Sequence, residues 1–302
     1  MIENLMMHYK DAFITAESPY QTDLYSWFST DIGTFFGIKK DRLSTKEASL
    51  LSTLFTPYGT HINDMNDTQA FWYNLLFLQQ GSLSPDQFSF SHCRFIQFYA
   101  DQPITDQIEF QEAIQALLPG DTVFLWENDS SGVLIETRNE EMIEDVYYDE
   151  ITVTLTSDFY TDMRLYIGQT HPLSDKLGSL FHTEKEWFQK GIQYLHKQKV
   201  YRLHDILPFL LLEKMDSDFR NQLKNVIPKE LQTDHELLET IKVFFESDLN
   251  VSNASKRLYM HRNSLQYRIE KFIEKSGIDI KHFHGAVTTY LAILDLEHFS
   301  DS

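Results

Sequence analysis

Between residues 235 and 277 the apolar side chains recur at helical spacing in three short runs, separated by residues that stop helices. Leu237, Leu238, Ile241, Phe244 and Phe245 mark one face of an amphipathic helix over residues 235–247. Asn250 or Ser252 then caps a short helix with Val251, Ala254 and Leu258 inward, where the small Ala254 lets another helix approach closely. Tyr259, Met260 and His261 make a turn. A third helix buries Leu265, Ile269, Phe272 and Ile273 before Gly277 ends it. Three helices of this length, joined this tightly, have few ways to bury their apolar faces, and a helix-turn-helix over residues 250–277 is one of them.

Charge singles out the same stretch. The 302-residue chain carries −19, which taken alone argues against a polyanionic partner. Residues 250–281 nevertheless hold seven bases (Lys256, Arg257, Arg262, Arg268, Lys271, Lys275 and Lys281) against three acids (Glu270, Glu274 and Asp279), so this segment is +4 and the rest of the chain −23. A basic reader on an acidic body disfavours loose binding to nucleic acid and makes specific contacts matter more.

With Leu265 as zero on a wheel of about 100° per residue, Asn263, Gln266, Tyr267, Glu270 and Lys271 lie opposite the buried stripe, and Arg262 and Arg268 lie on its flanks. Early residues of such a helix reach deepest into a major groove, so Arg262, Asn263 and Gln266 are the expected contacts to base edges. Arginine pairs bidentately with guanine, and asparagine or glutamine with adenine, at roughly 1–3 kcal/mol of discrimination per pair. Ser252, His261, Ser264, Tyr267, Arg268 and Lys271 are expected at phosphates or in the turn. Glu270 either accepts from cytosine or pairs with a neighbour such as Lys271. Periodicity alone fits equally well an ordinary helical hairpin with a solvated basic face.

The run from Asn250 to Ile269, Asn-Val-Ser-Asn-Ala-Ser-Lys-Arg-Leu-Tyr-Met-His-Arg-Asn-Ser-Leu-Gln-Tyr-Arg-Ile, closely resembles the C-terminal helix-turn-helix of PucR/CdaR-type bacterial regulators. The likeness extends upstream through Leu237 to Phe245 and downstream through a helix over residues 285–296. It implies a sequence-specific regulator of transcription with double-stranded DNA as partner, working as a homodimer because a single helix-turn-helix reads only a half-site. It also implies an effector-responsive body that binds a small molecule.

Upstream of residue 201 the texture is mixed. Ser44 and Glu47 have capping-box spacing ahead of Leu50, Leu51, Leu54 and Phe55, an aromatic stretch runs over residues 71–78, and residues 81–87 read as a linker. The aromatics fill a core or line an apolar pocket. Residues 94–99 alternate as a strand, and Phe110, Ile114, Leu117 and Leu118 share one face of a helix that Pro119-Gly120 ends. Strands over 122–126 and 133–136 flank a turn at 127–132, a helix or irregular stretch covers 140–149, and a strand at 163–168 precedes a helix at 174–196. This β-α-β-β-α-β order predicts a small α+β sandwich with an antiparallel sheet. Beyond it the pattern is helical, punctuated by Pro208 and Pro228.

Many PucR/CdaR-type regulators have a degenerate GGDEF-like domain here, ending in a strand similar to Leu165-Tyr166-Ile167-Gly168 and a long helix. The turn at 127–132 lacks the paired glycines of an active cyclase hairpin, and Asp129 is its only aspartate. The expected division is an N-terminal sensory domain (1–85), a degenerate GGDEF-like α+β domain (86–200) and an all-α helix-turn-helix domain (201–302), a multidomain α+β chain. The alternatives are a nucleotide-binding or cyclase-like enzyme using the middle domain and a protein-binding adaptor.

No catalytic residue, metal site or cofactor is expected. A phosphate-binding Gly-rich loop and a zinc signature are missing from the sequence. His282 and His284, at i and i+2, point to different helix faces, and His92-Cys93 is no better placed. The single cysteine, Cys93, rules out an internal disulfide and reads as a small buried hydrophobe. No apolar run approaches the roughly 20 residues of a membrane helix, and the first ten residues lack a signal-peptide core, so a cytoplasmic location without membrane attachment is expected.

Overall fold

Residues 13–58 build a small sheet from aromatic strands. A computed structural model describes residues 2–16, 21, 24–30, 35–58, 65–80, 88–118, 122–138 and 147–299, in two compact units, Met1–Leu203 and His204–Ser302. The expected linker at 81–87, the Pro119-Gly120 stop and most of the stretch at 140–149 lie outside the described residues.

The first unit begins with α1 (Ile2–Tyr9), β1 (Phe13–Ala16), β2 (Tyr25–Ser29), β3 (Phe35–Lys39), α2 (Thr45–Leu54), β4 (Thr56–Tyr58) and α3 (Asp67–Leu76). The strands pair antiparallel in the order β1-β3-β2-β4, and Phe13, Phe28, Phe36, Ile38 and Leu51 form their core. Ser44 caps α2 in the capping box expected from sequence, accepting from the Glu47 backbone N–H while Glu47 accepts from that of Ser44. Of the apolar residues predicted to share its inner face, Leu51 is buried and Leu50 and Leu54 are exposed. One residue per 100° of turn leaves a ten-residue helix on a small sheet only a narrow stripe to bury.

Helix α3 starts in a second capping box, Asn66 with Gln69, which the sequence reading passed over. Its Trp72, Tyr73, Leu75 and Leu76 pack on the following sheet, so the aromatics at 71–78 fill a core.

That sheet comprises β5 (His92–Ala100), α4 (Gln107–Leu117), β6 (Thr122–Asn128), β7 (Ser131–Arg138), α5 (Tyr148–Phe159), β8 (Met163–Pro172), α6 (Leu177–Tyr194) and β9 (Val200–Tyr201), with strand order β6-β7-β5-β8-β9. All neighbours are antiparallel except β8 and β9. The period of two sends Ile96 and Phe98 of β5 to a core with α4 and α5, and Cys93 and Phe95 to one with α3 and α6. Burial pushes the Cys93 thiol up to about 12, with the Glu184 carboxylate adding to the shift, so it is an apolar filler at neutral pH.

Three local readings change. The β6–β7 turn is two residues, Asp129 and Ser130, because Asn128 pairs with Ser131 and its side chain accepts the Ser130 N–H at 2.8 Å. Gly132 belongs to β7, where a Cβ would stand 2.3 Å from the Leu125 carbonyl and 2.7 Å from the Phe98 ring. Helix α5 extends to residue 159 through Ile151, Thr152, Val153, Thr154 and Thr156. Burying Tyr148, Ile151, Thr152 and Leu155, at helical spacing, outweighs the modest helix propensity of β-branched residues.

The second unit is helical: α7 (Leu203–Lys214), α8 (Ser217–Lys224), α9 (Lys229–Gln232), α10 (His235–Phe245), α11 (Val251–Arg257), α12 (Arg262–Ser276) and α13 (Phe283–His298). Pro228 caps α9 and breaks the chain, whereas Pro208 lies inside α7 without ending it. Asp295 of α13, fully buried, faces Arg220 at 3.1 Å and Lys224 at 3.5 Å on α8. Ala254, Leu265, Ile269 and Phe272, none of them exposed, share one core with Leu237, Leu238, Ile241 and Phe244.

Candidate nucleic-acid interface

Local hydrogen bonds set the boundaries of α10, α11 and α12. Asp234 caps α10 through the Leu237 N–H at 3.1 Å. Asn250, not Ser252, caps α11: its Oδ1 accepts the backbone N–H groups of Ser252 at 2.9 Å and Asn253 at 3.1 Å. Asn250→Ala is expected to cost about 1 kcal/mol. A lower urea midpoint at constant m-value, restored by Asn250→Asp, checks this.

The turn between α11 and α12 is a Schellman closure. Tyr259 N–H donates to the Lys256 carbonyl and Met260 N–H to that of Ser255, at 3.2 and 3.0 Å. Tyr259 takes the left-handed position usual for glycine, with φ +51°, and its side chain is 97% exposed. His261 caps α12, its Nδ1 accepting the Asn263 N–H at 3.2 Å, so this residue is a turn element. Gly277, at φ +72°, closes the helix as expected.

With Leu265, Ile269 and Phe272 inward, α12 presents Arg262, Asn263, Ser264, Gln266, Tyr267 and Lys271 to solvent on its first three turns. Ser252 is exposed on the first turn of α11. Lys256, Arg262, Lys271 and Lys275 are exposed and make no ion pair among the described residues. Gln266 donates to Glu270 Oε1 at 3.2 Å, and Glu270 faces the Lys281 ammonium at 3.8 Å, so Glu270 pairs with neighbours. Gln266 must leave that partner to meet a base edge.

Besides Lys281, two of the basic residues are committed within the unit. Arg257 binds the Glu246 carboxylate at 3.1 Å and carbonyl at 3.0 Å, closing the end of α10. Arg268, expected at a phosphate, turns back to α10 and donates to Glu236 at 2.5 Å and Thr240 Oγ1 at 2.9 Å. Asp234 and Glu236 thereby line one wall of a groove of about 480 Å³ whose other wall carries Asn263, Tyr267 and Lys271. The Glu236/Thr240 pair was missed in the sequence; its only signal there is the i, i+4 spacing on the flank of α10.

The arrangement is that of a helix-turn-helix: α12 shares a core with α10 and α11 and leaves its polar face exposed. Residues 237–294 match the family model described as the PucR C-terminal helix-turn-helix domain. The chain is 30% identical over 298 residues to the uncharacterized protein YxkF of Bacillus subtilis (strain 168), covering 98% of this chain and 99% of that one. It is 34% identical over 102 residues to the purine catabolism regulatory protein of the same organism, covering 34% of this chain and 18% of that protein. Identity to the carbohydrate diacid regulator of Escherichia coli (strain K12) is 24% over 133 residues, 43% of this chain and 34% of the relative. The chain belongs to the PucR/CdaR-type family of bacterial transcriptional regulators, which are not enzymes. Among the described residues no helix is long and apolar enough to cross a membrane.

Proposed function

We propose that this regulator binds double-stranded DNA sequence-specifically through α12, as a cytoplasmic homodimer whose occupancy answers to a small-molecule effector. The observation that carries this reading is the exposed group Arg262, Asn263 and Gln266 at the start of α12, with Arg262 on the flank of the buried Leu265 and Ile269 and the other two turned away from them. These side chains read base edges, while Ser252, Ser264, Tyr267 and Lys271 meet phosphates. A dimer sets two such helices on half-sites about 34 Å apart, one DNA turn.

The functional division assigned here keeps a DNA-binding domain at 201–302 and a degenerate GGDEF-like sheet at 86–200, without its chemistry. The N-terminal region to residue 85 senses the effector together with that sheet, because α3 packs on it. The two-residue Asp129-Ser130 turn offers a single carboxylate where metal-assisted nucleotide joining needs several.

Selection of genomic fragments on the purified protein, followed by footprinting, tests the proposal. The expected footprint is a pair of related half-sites; binding to all duplexes alike sinks it. On the selected site, Arg262→Ala is expected to weaken binding by about 1–3 kcal/mol and to relax preference at one base position. Wild-type affinity of that variant would refute the assigned face.

A further inference from the structure

We infer that Arg268 is a positioning residue for base reading: its fork onto Glu236 and Thr240 fixes the roll of α12 about its own axis, and hence where Arg262, Asn263 and Gln266 point. This rests on the DNA-reading role proposed above.

The geometry is specific. Glu236 and Thr240 stand one turn apart on α10, and the Thr240 hydroxyl donates to the Glu236 carbonyl at 2.7 Å. Its lone pair is thus left to accept from Arg268 Nη1 at 2.9 Å, while Nη2 binds the Glu236 carboxylate at 2.5 Å. Planar guanidinium on two acceptors resists rotation in a way that a single contact does not. On α12, Arg268 sits beside the buried stripe of Leu265 and Ile269, so the fork and the apolar stripe hold the helix along two lines. A roll of α12 sweeps its exposed side chains sideways across the base edges, although the apolar contacts tolerate a small one.

The stability at stake is small. The Arg268 side chain is 30% and that of Glu236 78% exposed, and an ion pair so wet adds little to folding. Nor is Arg268 well placed for phosphate, since its donors are aimed at α10. An acidic partner beside a DNA-facing helix is a liability for affinity, which a positioning role explains.

The test compares Arg268→Met, Glu236→Gln, Thr240→Val and Thr240→Ser in the full chain. Each is measured for thermal midpoint, and for Kd on the selected site and on an unrelated duplex across a salt series. Positioning predicts that Arg268→Met, Glu236→Gln and Thr240→Val each lose about tenfold on the selected site, the cost of misaligning one bidentate base contact. Affinity for the unrelated duplex and the slope of log K against log salt stay as in wild type, and Thr240→Ser keeps full discrimination. The sign for Glu236→Gln is decisive: it removes a negative charge near DNA and still weakens specific binding. A salt slope lower by about 0.9 in Arg268→Met, with tighter binding by Glu236→Gln, would make Arg268 a phosphate contact and overturn the inference. So would a lower thermal midpoint with discrimination intact. If wild type binds no duplex at low salt, the DNA-reading proposal fails and this one with it; if wild type discriminates and the variants do too, only this one fails.

Discussion

Phe272→Ala is expected to destabilise the helical unit by about 3–5 kcal/mol. The ring is fully buried, in one core with Leu237, Leu238 and Ile241 of α10 and with Leu265 and Ile269 of its own helix. Removing it takes away the transfer free energy of a large apolar side chain and leaves a cavity between short helices that cannot collapse far. Native domains are stable by only about 5–15 kcal/mol, so much of the unit's margin goes with one side chain. Urea unfolding of a two-unit chain need not be a single transition. The loss should appear in the step that also abolishes DNA binding, although the buried Phe272 has no polar group to offer DNA. Tyr267→Ala, on the exposed face of the same helix, should leave stability within about 0.5 kcal/mol while weakening DNA binding. Equal stability losses for the two variants would contradict the burial assigned to α12.

Glu136→Ala is expected to cost the first unit about 3–5 kcal/mol by a different route. Arg94 and Glu136 stand opposite each other on β5 and β7, and their side chains are 5% and 2% exposed. Arg94 Nε donates to Glu136 Oε2 at 2.8 Å and Nη2 to the Tyr148 hydroxyl at 2.6 Å. Taking away the carboxylate leaves a guanidinium that stays charged in the interior and has lost the oxygen its Nε binds. The pair itself is a weak source of stability, since desolvating both ions offsets most of their attraction. Arg94→Met combined with Glu136→Leu should therefore recover most of the loss. A double variant as unstable as Glu136→Ala would show that the pair contributes through more than mutual neutralisation.

The residues that most shape the proposed site were readable because their work is local. Leu265, Ile269 and Phe272 announce the buried face of α12 by spacing, and Gly277 marks its end by its freedom at positive φ. Exposure of Arg262, Asn263 and Gln266 follows from the same wheel. Asn250 and Ser252 stood as equal candidates for a cap, since both residue types favour it; only the hydrogen bonds chose between them. The order of elements along the chain, β-α-β-β-α-β, was legible from alternation and turn residues, though not the extent of its second helix. Helix α5 was not, because Val and Thr in series favour a strand until packing of Tyr148, Ile151 and Leu155 is counted.

Sequence by itself determined the helix-turn-helix: where its helices start and stop, which faces they bury, and which side chains they leave free. Each of those features depends on residues within about four positions of one another, so a linear pattern contains them. Tertiary structure alone decided the partners of the charged groups. Arg268 is 28 and 32 residues from Thr240 and Glu236, and Arg94 is 42 from Glu136. Nothing in the local pattern favours these acids over their neighbours; the choice follows from which helix and strand faces packing brings within hydrogen-bond reach. The same packing brings Arg268 onto Glu236 and Thr240, the contact on which the proposed positioning role rests.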